Sequence, residues 1–186
     1  MGRVSRAQAQ ENRRRVVETA SRLFREQGTQ VSVADLMKAS GLTHGGFYKQ
    51  FASKEALVDE ATAHAFGELT RLHRDGLDQH AGQRDAARRA VIDSYLSVEH
   101  RDSAADGCPV AALATDMARE PEDREARRVY TEGVGDFARV LTTDDQDGII
   151  QLCTMLGALV LARATKGSPL SEEILATAHA ALTETG

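Results

Sequence analysis

The apolar positions recur at helical spacing from one end of the chain to the other. Between Asn12 and Glu26 they are Val16, Val17, Ala20, Leu23 and Phe24, the i, i+1, i+4, i+7, i+8 stripe of an amphipathic helix. Gly28 supplies its stop. Ser32 and Asp35 fit an N-terminal capping pair for a second helix with Val33, Leu36 and Met37 inward, and Gly41 closes it. A short third helix is predicted from Thr43 to about Phe51. Ser53 then caps a long fourth helix, with Ala56, Leu57, Ala61, Ala65, Leu69 and Leu72 on its inner side. The polar stretch DGLDQHAGQRD reads as a connection. A helix over Ala86 to Val98 follows, with Val91, Ile92, Tyr95 and Leu96, and then a loop, HRDSAADG.

Pro109 suits the first turn of a helix carrying Val110, Leu113 and Met117. Pro121 is expected to start the next, with Val129, Tyr130, Val134, Phe137, Val140 and Leu141 inward. Asp144 or Asp145 can cap a penultimate helix through Lys166. GSP at 167–169 breaks it and starts the last, lined by Leu170, Ile174, Leu175, Ala178 and Leu182. No strand-like alternation exceeds four residues. The fold class expected is all-α with about nine helices: an N-terminal three-helix unit over 1–54 and a C-terminal helical domain over 55–186.

Composition supports helices and adds a charge split. The 186 residues are 41% hydrophobic, too apolar for a disordered chain, and eight aromatics without Trp are few for a sandwich or barrel. The formal net charge is −5, but residues 1–54 hold ten Lys/Arg against four acids, a surplus of six. The remainder holds thirteen basic and twenty-four acidic residues, a deficit of eleven. A basic N-terminal unit is suited to a polyanion; an unevenly charged solvated surface is the plainer alternative.

MGRVSRAQAQENRRR has no apolar core of a secretory signal, and Ser5 is misplaced for a myristoylation signal after Met1-Gly2. The longest apolar stretch, Ile149 to Ala162, is too short to span a bilayer. No membrane partner and a cytoplasmic location are expected. Cys108 and Cys153 form no CxxC and have no His at ligand spacing, so neither metal nor disulfide framework is expected, and no cofactor.

The segment VSVADLMKASGLTHGGFYKQFASKEAL, residues 31–57, carries the chemistry. Two short helices joined at Gly41–Leu42 make a helix-turn-helix unit, where glycine accepts the positive φ of a sharp turn. Leu36, Met37, Leu42 and Phe47 can close the wedge. Thr43, His44, Gly45, Tyr48 and Lys49 then face outward, short enough or polar enough to enter a major groove. Lys54, in the first turn after Ser53, is placed to hold a phosphate. Ser32, at the start of the preceding helix, is a further candidate DNA contact. Plainer roles compete: Tyr48 as a wedge residue, Arg13 to Arg15 as a solvated face, Lys49 as a solvent-facing charge.

This stretch resembles the DNA-binding domain of the TetR family of transcriptional regulators, over roughly residues 10–60. LFREQG, VSVADLMKASGL, THGGFYKQF and the FYKQF–ASKEAL join carry the resemblance. It implies phosphate contacts from Tyr48 and Lys54 and groove contacts from Thr43, His44 and Gly45. It also implies a dimer. Met37 departs from the Ala common four residues before the turn glycine, and Gly45–Gly46 weaken a helix by about 1 kcal/mol each. A short recognition helix, held by Phe47, is therefore expected.

Beyond residue 60, DGCPVAALATDMA resembles one branch of TetR-type repressors with a GCP element, some of which respond to planar aromatic or drug-like compounds. Tyr95, Cys108, Leu113, Met117, Tyr130, Phe137 and Met155 are candidate lining residues for a small apolar or aromatic ligand, with ordinary core packing as the alternative for each. Cys108 at a helix start is either a reactive thiol or an inert packed one. The helix around Ile149–Ala162 is apolar on nearly all sides, so it is expected to be buried on two faces, in a homodimer interface or, alternatively, within the monomer.

The expected function is a ligand-responsive regulator, most simply a repressor released from a palindromic double-stranded DNA operator. The alternative is a helical interaction or enzymatic domain without operator binding. No GxSxG, Walker loop, HExxH or GxGxxG is present, and Asp116 with Glu120, or the run Asp144, Asp145, Asp147, is better read as caps or solvated carboxylates, so no catalytic residue is expected.

Overall fold

In a computed structural model, residues 6–144 and 146–183 are described; the readings of Met1–Ser5 and of Asp145 as a helix cap lie outside these. The described chain is all-α: α1 Arg6–Gln27, α2 Val33–Ala39, a 3₁₀ helix His44–Lys49, α3 Lys54–Gln79, α4 Arg84–Tyr95, α5 Val98–Asp102, α6 Pro109–Met117, α7 Glu125–Leu141, α8 Gly148–Ala164 and α9 Pro169–Thr183.

Local chemistry sets the ends. The Ser32 hydroxyl accepts from the Asp35 N–H at 3.1 Å and donates to the Asp35 carboxylate at 2.6 Å, which starts α2. Gly41 adopts φ +69° and turns the chain toward the 3₁₀ helix. Ser53 caps α3 through the Ala56 N–H at 3.2 Å. Asp147, rather than Asp144, caps α8, accepting from the Ile149 N–H at 2.7 Å.

Three boundaries differ from the sequence pattern. The fourth predicted helix runs past Leu72 to Gln79, taking in the polar DGLDQ expected to be a connection. HRDSAADG is not all loop: Ser97 caps α5, its hydroxyl accepting from the His100 N–H. Pro121 begins a turn, and α7 starts only at Glu125.

Two apolar cores result. One joins Val16, Ala20 and Phe24 of α1 with Leu36, Met37, Phe47, Phe51, Leu57, Val58 and Ala61, and also takes in Leu113, Met117 and Ala126. The other lies among α3, α4 and α6–α9 around Ile92, Phe137, Leu141, Met155 and Leu159. Leu72, Val140 and Leu170, expected inward, are exposed: Leu72 borders an open cavity, and Leu170 sits in the first turn of α9.

Candidate nucleic-acid interface and internal cavity

Phe47 is fully buried, with Phe51 stacked on it at 5.4 Å and Tyr48 edge-on at 5.0 Å. That anchor fixes which way the neighbouring side chains point. Thr43, His44, Gly45, Tyr48 and Lys49 are all exposed on one short segment, with Tyr48 67% exposed. The wedge role for Tyr48 is thereby overturned, since the wedge is filled by Phe47, Leu36 and Met37.

The recognition segment is 3₁₀ rather than α, held by Gly46 N–H to the Thr43 carbonyl at 2.9 Å and Gln50 N–H to the Phe47 carbonyl at 2.8 Å. The Gly45–Gly46 pair lowers the preference for a regular helix at this place. A side-chain carbon on Gly46 would lie 3.6 Å from the Met37 methyl, whereas Gly45 faces open space. Met37 thus reaches beneath Gly46, which is how the larger residue is accommodated.

Lys54 begins α3 beside the Ser53 cap, and Ser32 is exposed at the start of α2, engaged with Asp35. The three consecutive arginines of α1 are not equivalent. Arg13 forks onto Glu60, with Nη2 donating at 2.6 Å, and its guanidinium lies 4.5 Å from the Phe51 ring centre. It ties α1 to α3. Arg14 pairs with Glu11 and Glu18, and Arg15 bonds Asn12, both on the exposed side of α1.

A cavity of about 520 Å³ opens between α3, α4 and the Gly107–Pro109 turn. Leu69, Val91 and Phe137 give it an apolar wall. Of the seven candidate lining residues, Tyr95, Cys108 and Phe137 border it. The other four do not. Leu113 and Met117 face the core shared with α1. Met155 is fully buried within the α8 packing. Tyr130 stacks edge-on against Phe66 and donates its hydroxyl to the Val110 carbonyl at 2.8 Å. A helical stripe identifies an inward face but not which inward face borders a cavity. His73, His80, His100 and Arg25 line it and were missed, because their types gave no apolar signal.

Burial favours the neutral form of four groups on the cavity wall, Tyr95, Cys108, His73 and His100. Burial, then the neighbouring thiol, pushes Tyr95 upward, and its hydroxyl has no oxygen or nitrogen partner among the described residues. Burial also pushes the Cys108 thiol up, outweighing the backbone N–H groups at the start of α6 that favour the thiolate. Burial lowers His73 to about 4. His100 is lowered by burial, then influenced by the Tyr95 carbonyl and Arg163. His100 Nδ1 lies 2.7 Å from the Tyr95 carbonyl, and Nε2 accepts from the Cys108 N–H at 3.0 Å. Only the neutral tautomer protonated at Nδ1 satisfies both.

The suspected carboxylate pair has structural work. Asp116 accepts from the Thr29 N–H at 3.1 Å, and Glu120 accepts from Arg124 Nε at 3.3 Å. No metal-holding cluster occurs among the described residues, and no described helix is long and apolar enough to cross a membrane.

An exposed segment anchored by buried Phe47 and joined to α2 through the Gly41 turn is a helix-turn-helix arrangement on an all-α body. Residues 16–61 match the family model described as bacterial regulatory proteins, tetR family. Over that stretch the chain is similar to the TetR family. It is 31% identical over 100 residues to the HTH-type transcriptional repressor KstR2 of Mycobacterium tuberculosis, a match covering 52% of this chain and 50% of that protein. The match thus spans half that repressor's length. An uncharacterized HTH-type transcriptional regulator, YxaF of Bacillus subtilis, is 26% identical over 156 residues, 81% of each chain. Among solved structures, a TetR transcriptional regulator from Chloroflexus aurantiacus superposes with a TM-score of 0.72 at 26% identity, covering 95% of this chain and 94% of that one.

Proposed function

We propose that the protein is a cytoplasmic, homodimeric DNA-binding transcriptional regulator without enzymatic activity, a repressor that leaves a palindromic operator when a small molecule fills its C-terminal cavity. The observation that carries this reading is the outward set Thr43, His44, Gly45, Tyr48 and Lys49, anchored by buried Phe47. Residues 1–54 would carry the DNA contacts and residues 55–186 the cavity and dimer face. Short side chains at the groove leave base readout to His44, Thr43 and close backbone approach at Gly45. Tyr48 and Lys54 hold phosphates, and Ser32 and Lys49 flank them.

The partner surface is read from α8. Ile149, Ile150, Val160 and Leu161 are 62%, 66%, 46% and 55% exposed, an apolar face large enough to want covering. A second copy across a two-fold axis supplies the cover and sets two recognition segments one or more helical turns apart. A ligand releases DNA only by as much as it prefers the non-binding conformation.

The test is a gel shift and anisotropy titration with duplexes from the region upstream of the protein's own gene. Retardation at low salt is expected, and Lys54→Ala weakens binding across sequences while lowering the salt slope by about 1. Failure to retard any nearby intergenic fragment overturns the reading.

A further inference from the structure

The cavity beside Tyr95 has a neighbour of opposite chemistry. A groove of about 570 Å³ lies between α3, α4 and α7, and His73, Ala87 and Val91 line both spaces. Four arginines border the groove, Arg74, Arg84, Arg88 and Arg139, against two acids, Asp85 and Asp136. Arg139 pairs with Asp136. Arg74, Arg84 and Arg88 have no carboxylate partner among the described residues, whereas most other arginines of the molecule do.

Arg88 is the most telling. Its Nη1 donates to Gln151 Oε1 at 2.9 Å, and Gln151, only 2% exposed, fixes the guanidinium from α8. Its Nε is buried with no acceptor. A half-buried guanidinium that Gln151 holds at the groove, with no carboxylate partner, is suited to pair with an oxyanion through its remaining N–H edge. The adjoining cavity differs: next to the groove its wall is Leu69, Val91 and Phe137, and its charged residues Arg25, Glu68 and Asp106 are already in ion pairs, so a bare charge against that wall would be costly.

We infer that cavity and groove form one elongated site for an amphipathic anion, its apolar body against Leu69, Val91 and Phe137 and its carboxylate or phosphate head on Arg88, Arg74 and Arg84. This rests on the reading of the cavity as the effector site. His73 stands where the two spaces meet, its ring 4.6 Å from that of Phe137. Being neutral, it adds no charge to the passage of the apolar body.

Calorimetric titration of the full chain with decanoate, decyl phosphate and decanol, each below its micellar concentration, tests the inference. At least one anionic probe is expected to bind ten-fold or more tightly than decanol, with the advantage shrinking as salt rises. Which anion binds better assigns the head group. Arg88→Gln, and independently Arg74→Gln with Arg84→Gln, bring the anions down to the affinity of decanol. Arg88→Lys retains part of the preference. Arg74 and Arg84 are exposed, so the double variant tests the head site without disturbing the core. Val91→Trp, which fills the shared wall, weakens all three probes. Decanol binding as tightly as both anions, or an anionic preference that survives the arginine substitutions, overturns the inference. Anisotropy of a labelled upstream duplex separates the two readings. Anion binding with no change in DNA affinity upholds the site and defeats ligand release. Release by decanol but by neither anion defeats the site and leaves ligand release standing.

Discussion

His73 and His100 show how burial chooses a protonation state and what the choice costs. His100 is useful only when neutral, since a proton on Nε2 would expel the Cys108 N–H that it accepts. His73 has no such bond; it is neutral because burial against Phe137 disfavours its charged form, with a pKa of about 4 against an ordinary 6.5. Between those values the unfolded chain binds a proton that the folded chain refuses. Stability therefore stands in full above pH 6.5 and falls as the pH drops toward 4, by on the order of 3 kcal/mol from His73. Below that pH no further loss arises from this group. Urea unfolding at pH 7 and pH 4 should show the fall, and His73→Phe should lessen it. An equal fall in the variant would place the effect elsewhere.

At the scale of elements, the joins are more constrained than the helices. A methyl group at Gly148 would overlap the Ala138 carbonyl oxygen and press on Thr142. The obstacle is backbone, so Gly148→Ala should cost about 3 kcal/mol or more, read as a fall in the denaturation midpoint, although alanine favours a helix elsewhere. Nothing in the sequence around Asp144–Ile150 reveals this, because the clash is with a helix ten residues earlier. The helices themselves were legible, since stripes such as Val16–Ala20–Phe24 record burial directly. So was the recognition segment, where Phe47 had to be inward for Tyr48 and Lys49 to be outward. Cavity lining was legible at Tyr95, Cys108 and Phe137 but not at Leu113, Met117, Tyr130 or Met155, because an apolar side chain looks the same in a core and on a cavity wall. The apolar face of α8 gives a test at this scale. Cys153 is exposed there, in line with Ile149 and Val160, while Cys108 is buried. If α8 is the covered face of the proposed dimer, Cys153 should react slowly with a maleimide, and Ile149→Glu should speed the reaction. Equal rates in the two proteins would argue that α8 is not the covered face.

Across the whole molecule, α6 and the turn before it are fastened to α1 at both ends. At one end Arg25, buried on α1, donates to the Gly107 carbonyl at 3.3 Å and to Glu68 at 2.9 Å, while Arg22 pairs with Asp106. At the other, the Thr29 N–H just beyond α1 donates to Asp116 at 3.1 Å. Asp106, Gly107, Cys108 and Arg25 also border the cavity, so its wall and the first helix of the recognition unit share contacts. Anything that displaces the Gly107–Cys108 turn must either break the Arg25 bond or carry α1 with it. Removing the fasteners should therefore separate the two parts in stability. Arg25→Ala leaves the Gly107 carbonyl without its donor and removes the tie to Glu68, and Asp116→Ala leaves the buried Thr29 N–H without an acceptor, each costing about 1–3 kcal/mol. Asp116→Asn, which keeps an acceptor, should recover most of its share. In hydrogen exchange, the amides of α1 and α2 should open well before those of α8 in the double variant, whereas in the wild type the buried amides of both regions open together. If α1 keeps its protection after both fasteners are gone, the Val16–Phe24 core alone holds the N-terminal unit, and the proposed coupling of cavity to DNA would have to run through α3 instead.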